Sequence, residues 1–131
     1  MSYSQANVYR EREVLTASPE KLIVIVFDHV LVNLYRARVA IEANNIERRV
    51  QALTKAREGV MELLSSVDVE RGGPVAGNLL ALYSFAIREL FEIGRTKNVA
   101  KLDAVFTVMN NLRDAFATIV ADPKVAAVPA A

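Results

Sequence analysis

Four successive stretches of this chain place apolar residues alternately three and four positions apart. That spacing gathers side chains on one face of an α-helix and scatters them over both faces of a strand. The first stretch reads Ile23, Phe27, Val30, Leu34, Ala37 and Ile41. It opens at Ser18-Pro19-Glu20, where a serine can cap free N–H groups, a proline fits the first helical position and a carboxylate meets the positive end of the helix dipole. The run Ile23-Val24-Ile25-Val26 suits a strand by propensity, but the helical spacing persists for about five turns, so helix is the reading. The stretch stops near Asn44-Asn45.

A second helix is predicted over 46–67, with Ile46, Val50, Leu53, Ala56, Val60, Leu64 and Val67 on one face. The segment 68–73, ending in Gly72-Gly73, reads as a loop, and Pro74 restarts the chain. A third helix over 74–96 carries Val75, Leu79, Leu82, Ala86, Leu90 and Ile93. A fourth over 98–120 carries Leu102, Val105, Met109, Leu112, Phe116 and Ile119. All four prolines fall at boundaries, and no Asn-Gly or Asp-Gly hairpin signal occurs. Four amphipathic helices of similar length with short connections pack most simply as an all-α, antiparallel up-down four-helix bundle. Residues 1–17 then form an N-terminal arm or short helix, 18–120 the bundle, and 121–131 a flexible tail.

Composition removes several chemistries. The absence of cysteine excludes a disulfide framework, a thiol nucleophile, thiolate zinc and covalent haem. A single histidine, His29, argues against a Ser-His-Asp site, and no Glu-x-x-His pair exists to hold di-iron. Haem held by His29 with Met61 or Met109 is the weaker reading, because methionines at helical spacing are ordinarily core. There is no Gly-rich phosphate loop, so no cofactor is expected. Sixteen basic against fifteen acidic residues leave a net charge of +1, which offers no long-range attraction to nucleic acid. The longest apolar run, 22–27, is far short of the roughly 20 residues that cross a bilayer, so no membrane insertion is expected. With no signal peptide, a cytoplasmic protein is the default.

One feature exceeds what a bundle needs. Opposite its core stripe the first helix carries Leu22, Ile25, His29 and Val32, and the third helix has a related surplus in Leu80, Tyr83, Ile87 and Phe91. Together they suggest an apolar groove between helices, covered by the arm bearing Tyr9 or by a partner. Asp28, in its apolar run, is expected to be tied to Arg88 or Tyr83. The basic residues Arg36, Arg38, Arg48 and Arg49 around the first turn could meet RNA or an acidic partner, but Glu42 and Glu47 dilute them and a solvated helix end is preferred. A histidine phosphotransfer bundle using His29 is the alternative function, although no basic residue follows His29 before Arg36.

Asn7-Val8-Tyr9, then 15–23 reading Leu-Thr-Ala-Ser-Pro-Glu-Lys-Leu-Ile, then Val26-Phe27-Asp28, then Gly72-Gly73 leading into Asn78-Leu79-Leu80-Ala81-Leu82-Tyr83, resemble the FliS family of flagellin export chaperones. The resemblance runs in order from about residue 5 to 117. Two departures stand out. The family usually has Tyr-Asp-Gly where this chain has Phe27-Asp28-His29, and a tryptophan late in the last helix where this chain has Phe116. The resemblance implies a cytoplasmic, non-enzymatic chaperone. Its client would be the disordered C-terminal segment of flagellin, held in apolar helix grooves against premature polymerisation and delivered to the flagellar type III export apparatus. The implied partners are that segment and an export gate component, with a homodimer also admitted. The candidate client-binding residues are Asn7, Tyr9, Leu22, Ile25, His29, Val32, Leu80, Tyr83 and Ile87. At the level of fold the expectation is direct: far-UV circular dichroism dominated by helix, and one cooperative unfolding transition for one core. A strongly β spectrum would sink fold and family alike.

Overall fold

The computed structural model describes residues 5, 8, 11, 12 and 17–122. It consists of α1 (Pro19–Glu42), α2 (Ile46–Ser65), α3 (Val69–Thr96) and α4 (Val99–Ala121), with no strand among the described residues. Of the arm, residues 5, 8, 11 and 12 are helical and Ala17 is not. Asn7 and Tyr9 lie outside the described residues, as does the tail from 123 onward.

Each helix starts by the same local device. Ser18 Oγ accepts from the Lys21 N–H, Asn45 Oδ1 from Arg48, Asp68 Oδ1 from Arg71 and Asn98 Oδ1 from Lys101, at 3.0–3.2 Å. Each of these bonds satisfies one backbone donor that the first helical turn leaves unpaired. At the far end of α2, the hydroxyls of Ser65 and Ser66 donate to the carbonyls of Glu62 and Leu63.

The extensive helix contacts join α1 to α2, α2 to α3, α3 to α4 and α4 back to α1. This is a closed up-down bundle in which α1 faces α3, and α2 faces α4, across the diagonals. Direction is visible in two ion pairs between α1 and α4: Asp28 meets Arg113, and Arg38 meets Asp103. Ten residues down one helix match ten up the other, as antiparallel neighbours require.

The loop expected over 68–73 is not a loop. Helix begins at Val69, and the Gly72 N–H donates to the Asp68 carbonyl at 2.9 Å. Asp68 and Glu70 favour this turn through the helix dipole. The break falls at Gly73, with φ 54° and ψ −136°, a conformation open to glycine and strained for other residues. Pro74 follows and has no N–H to continue the ladder.

The core stripes hold in their middles and miss at their ends. Phe27, Val30, Leu34 and Ala37 of α1, Leu53, Ala56 and Val60 of α2, Ala86, Leu90 and Ile93 of α3, and Leu102, Val105 and Met109 of α4 are buried. Ile46, Val50, Val75 and Ile119 were expected in the core and are exposed. Each lies near a helix end, where fewer neighbouring helices remain to cover it. In α3 the buried stripe also takes in Ala76 and Tyr83.

The approach of α1 to α2 is close. A Cβ on Gly59 would stand 2.6 Å from Cγ2 of Val30, inside any tolerable contact. Gly59→Leu should therefore destabilise the fold by about 2 kcal/mol or more through overpacking, measured by chemical denaturation. Phe27→Ala should cost about 3–5 kcal/mol by leaving a cavity at the centre.

Candidate functional site

Where α1 begins, α2 ends, α3 turns at Gly73 and α4 ends, the bundle opens into a surface cavity of about 290 Å³. Its walls are Ile23 of α1, Val67 of the connection, Val75 and Leu79 of α3, and Phe116 of α4. Asp68 and Arg71 stand at its mouth as an ion pair 3.6 Å apart. Tyr83 also lines it, and three rings meet behind it. The Phe27 centroid lies 6.3 Å from Tyr83 and 5.5 Å from Phe116, both tilted, arrangements in which aromatic quadrupoles attract. The cavity is thus apolar inside and charged at its rim.

The sequence-predicted residues divide into separate places. Leu22 and Ile25 are half-buried on α1, while His29 and Val32 are exposed there. His29 lies over the α1/α2 seam, with Cδ2 3.5 Å from where a Gly59 Cβ would be. The Asn33 side-chain nitrogen donates to the His29 carbonyl at 2.9 Å and approaches the ring nitrogens at 3.4 and 3.5 Å. Leu80 and Ile87 are half-buried on α3, and Ile87 packs against the core.

Three expectations need correction. Tyr83 is not on an outer face: it is 1% exposed, because its ring completes the cluster with Phe27. The surpluses of α1 and α3 do not line one groove either, since these helices are diagonal and their outer faces point away from each other. The exposed Phe91 of α3 is covered differently, by Arg57 with its guanidinium carbon 4.2 Å from the ring centroid, a cation–π contact. Asp28 pairs with neither Arg88 nor Tyr83. Its partner is Arg113, at 2.8 Å, because Asp28 lies on the side of α1 that meets α4. Asn7 and Tyr9 remain outside the described residues.

The cavity walls Val67, Val75, Leu79 and Phe116 were read from the sequence as ordinary core positions. The signal that they border a cavity was Gly72-Gly73-Pro74, which bends α3 and opens the bundle's end.

Burial pushes the Tyr83 hydroxyl from its usual 10.0 up to about 12. The folded chain then keeps a proton that the unfolded chain loses near pH 10, so this group's contribution to stability is complete below pH 10 and is lost as pH rises towards 12. Denaturation midpoints across that window should fall less steeply for Tyr83→Phe than for the wild type. Parallel slopes would mean that the hydroxyl is not shielded.

The family model for the flagellar protein FliS matches residues 1–123. The flagellar secretion chaperone FliS of Salmonella typhimurium is 32% identical over 119 residues, covering 90% of this chain and 87% of that protein. The protein of the same description from Escherichia coli K12 is 33% identical over 116 residues, covering 88% and 84%. A more distant relative, again described as flagellar secretion chaperone FliS, comes from Bacillus subtilis and is 26% identical over 108 residues, covering 82% and 80%. A match of this extent, on an all-helical bundle, means that the chain belongs to the FliS family.

Proposed function

We propose that this protein is a non-enzymatic flagellar export chaperone that acts in the cytoplasm and holds the C-terminal segment of flagellin. The observation that carries the reading is family membership across nearly the whole chain, whose relatives are described as flagellar secretion chaperones. The geometry supports it in a second way. Apolar surface lies open at the end cavity and along the outer face of α1, where a bundle serving only its own stability would place polar side chains. Among the described residues no helix is long and apolar enough to cross a membrane.

An amphipathic client segment would lay its apolar face on Leu22, Ile25, His29 and Val32, with Leu80 and Ile87 on α3 and Asn7 and Tyr9 of the arm taking further turns of an extended path. Tyr83 would act from below, as the buried support of the cavity. A segment disordered when free loses entropy on binding, which keeps the complex releasable. Release by handover to a component of the export gate then requires no nucleotide. The family match lends no support to phosphotransfer through His29.

Titration calorimetry with full-length flagellin, and with flagellin lacking its C-terminal segment, tests the reading. The first should bind and the second should not. Ile25→Asp should weaken binding by at least ~2 kcal/mol, a hot-spot loss, with little change in unfolding midpoint. His29→Gln should stay within roughly tenfold, about 1.4 kcal/mol. Wild-type affinity in Ile25→Asp would remove the client from the outer face of α1.

A further inference from the structure

At the opposite end of the bundle from the Tyr83 cavity, around the turn joining α1 to α2, lies an open groove of about 380 Å³. Alanine side chains form its floor, and Tyr35 and Val39 of α1, both exposed, form one apolar edge. Arg36, Arg48 and Lys55 complete the lining, with no acidic residue among the described residues that border it. None of these three cations makes an ion pair with a described residue, whereas Arg38, Arg71, Arg95, Lys101 and Arg113 each have a carboxylate partner. From the sequence alone this basic end read as solvated. The structure instead gathers unpaired cations beside exposed apolar side chains.

Asn33 supplies an independent sign. It lines the same groove and is 1% exposed. Its amide nitrogen is committed to the His29 carbonyl, which fixes the orientation of the amide, and its Oδ1 is buried without a donor. Buried amide oxygens are ordinarily satisfied, and this one, on a residue that lines the groove, is left without a donor.

We propose that this α1/α2 groove is a docking site for an acidic amphipathic helix of a second protein partner, distinct from the flagellin client. Carboxylates on the partner's flanks answer Arg36, Arg48 and Lys55, and its apolar stripe meets Tyr35 and Val39. Along α1 Tyr35 and Val39 are four apart, which places them on one face of the helix. A second copy of this chain is a poor occupant, because a two-fold contact would set the same cations against themselves. Nucleic acid would leave Tyr35 and Val39 without use along a phosphate backbone. Val39 lies about 10.5 Å along α1 from Val32, the nearest client candidate on that helix.

The test uses the full chain and two fluorescein-labelled, side-chain-stapled helical peptides that share one leucine face, one flanked by glutamates and the other by lysines. Anisotropy titrations at low salt should show the glutamate peptide binding at least ~10-fold tighter than the lysine peptide, with its advantage shrinking as salt rises. In amide NMR spectra the perturbed signals should centre on Tyr35, Val39 and the Asn33 side chain. The double substitution Arg48→Glu with Lys55→Glu should lose the preference and leave flagellin binding unchanged. If that variant does not fold, Arg48→Gln with Lys55→Gln is read in its place. Equal affinity for both peptides overturns the proposal, as do signals perturbed elsewhere, displacement of the glutamate peptide by single-stranded RNA, or a dimer of the chain that buries the groove. Flagellin binding measured on the wild type separates this result from the client reading, which stands or falls on that measurement alone.

Discussion

Three rings, Phe27 of α1, Tyr83 of α3 and Phe116 of α4, hold the centre of this bundle. Helices α1 and α3 are diagonal, so the Phe27–Tyr83 contact spans the core, and Phe116 ties the fourth helix to the same point. The cavity bounded by Ile23, Val67, Val75 and Leu79 is what the rings leave open. Stability and candidate function therefore share one set of side chains, and a change at Phe27 or Tyr83 reaches both.

The sequence was most informative where the determinant was local. Ser18 was legible as a cap because its bond reaches only three residues, whereas Asn45 and Asn98 cap in the same way but were read only as a helix end and a helix start. The middles of the four stripes were equally legible, because helical spacing alone decides which residues share a face. What stayed hidden depended on how helices are arranged around one another. Tyr83 is one position from Leu82, and a rotation of α3 decides which of them enters the core. Asp28 could be paired only after α4, rather than α3, was known to lie beside it. The segment 68–73 misled for another reason: two glycines and a proline signal a break, but Asp68 caps a turn before the break occurs.

The two ends of the molecule differ in chemistry. One is a cavity with apolar walls and an Asp68–Arg71 pair at its mouth. The other is a groove where cations outnumber their partners. A net charge of +1 conceals this separation, since carboxylates elsewhere cancel the total without neutralising the groove. The outer face of α1 runs between the two ends, with Ile25 towards the first and Val39 at the second.

The closure of α4 on α1 carries a consequence for how the chain folds. Three of the helix contacts join neighbours in sequence across connections of two or three residues, so they can form with little loop entropy, in the regime where helical bundles fold in roughly microseconds to milliseconds. Only α4 against α1 must wait for the whole chain. That last seam is where Asp28 meets Arg113 and Arg38 meets Asp103. Exposed pairs of this kind add little stability, but they act as a register check: a slip of one helical turn between α1 and α4 would break both pairs at once.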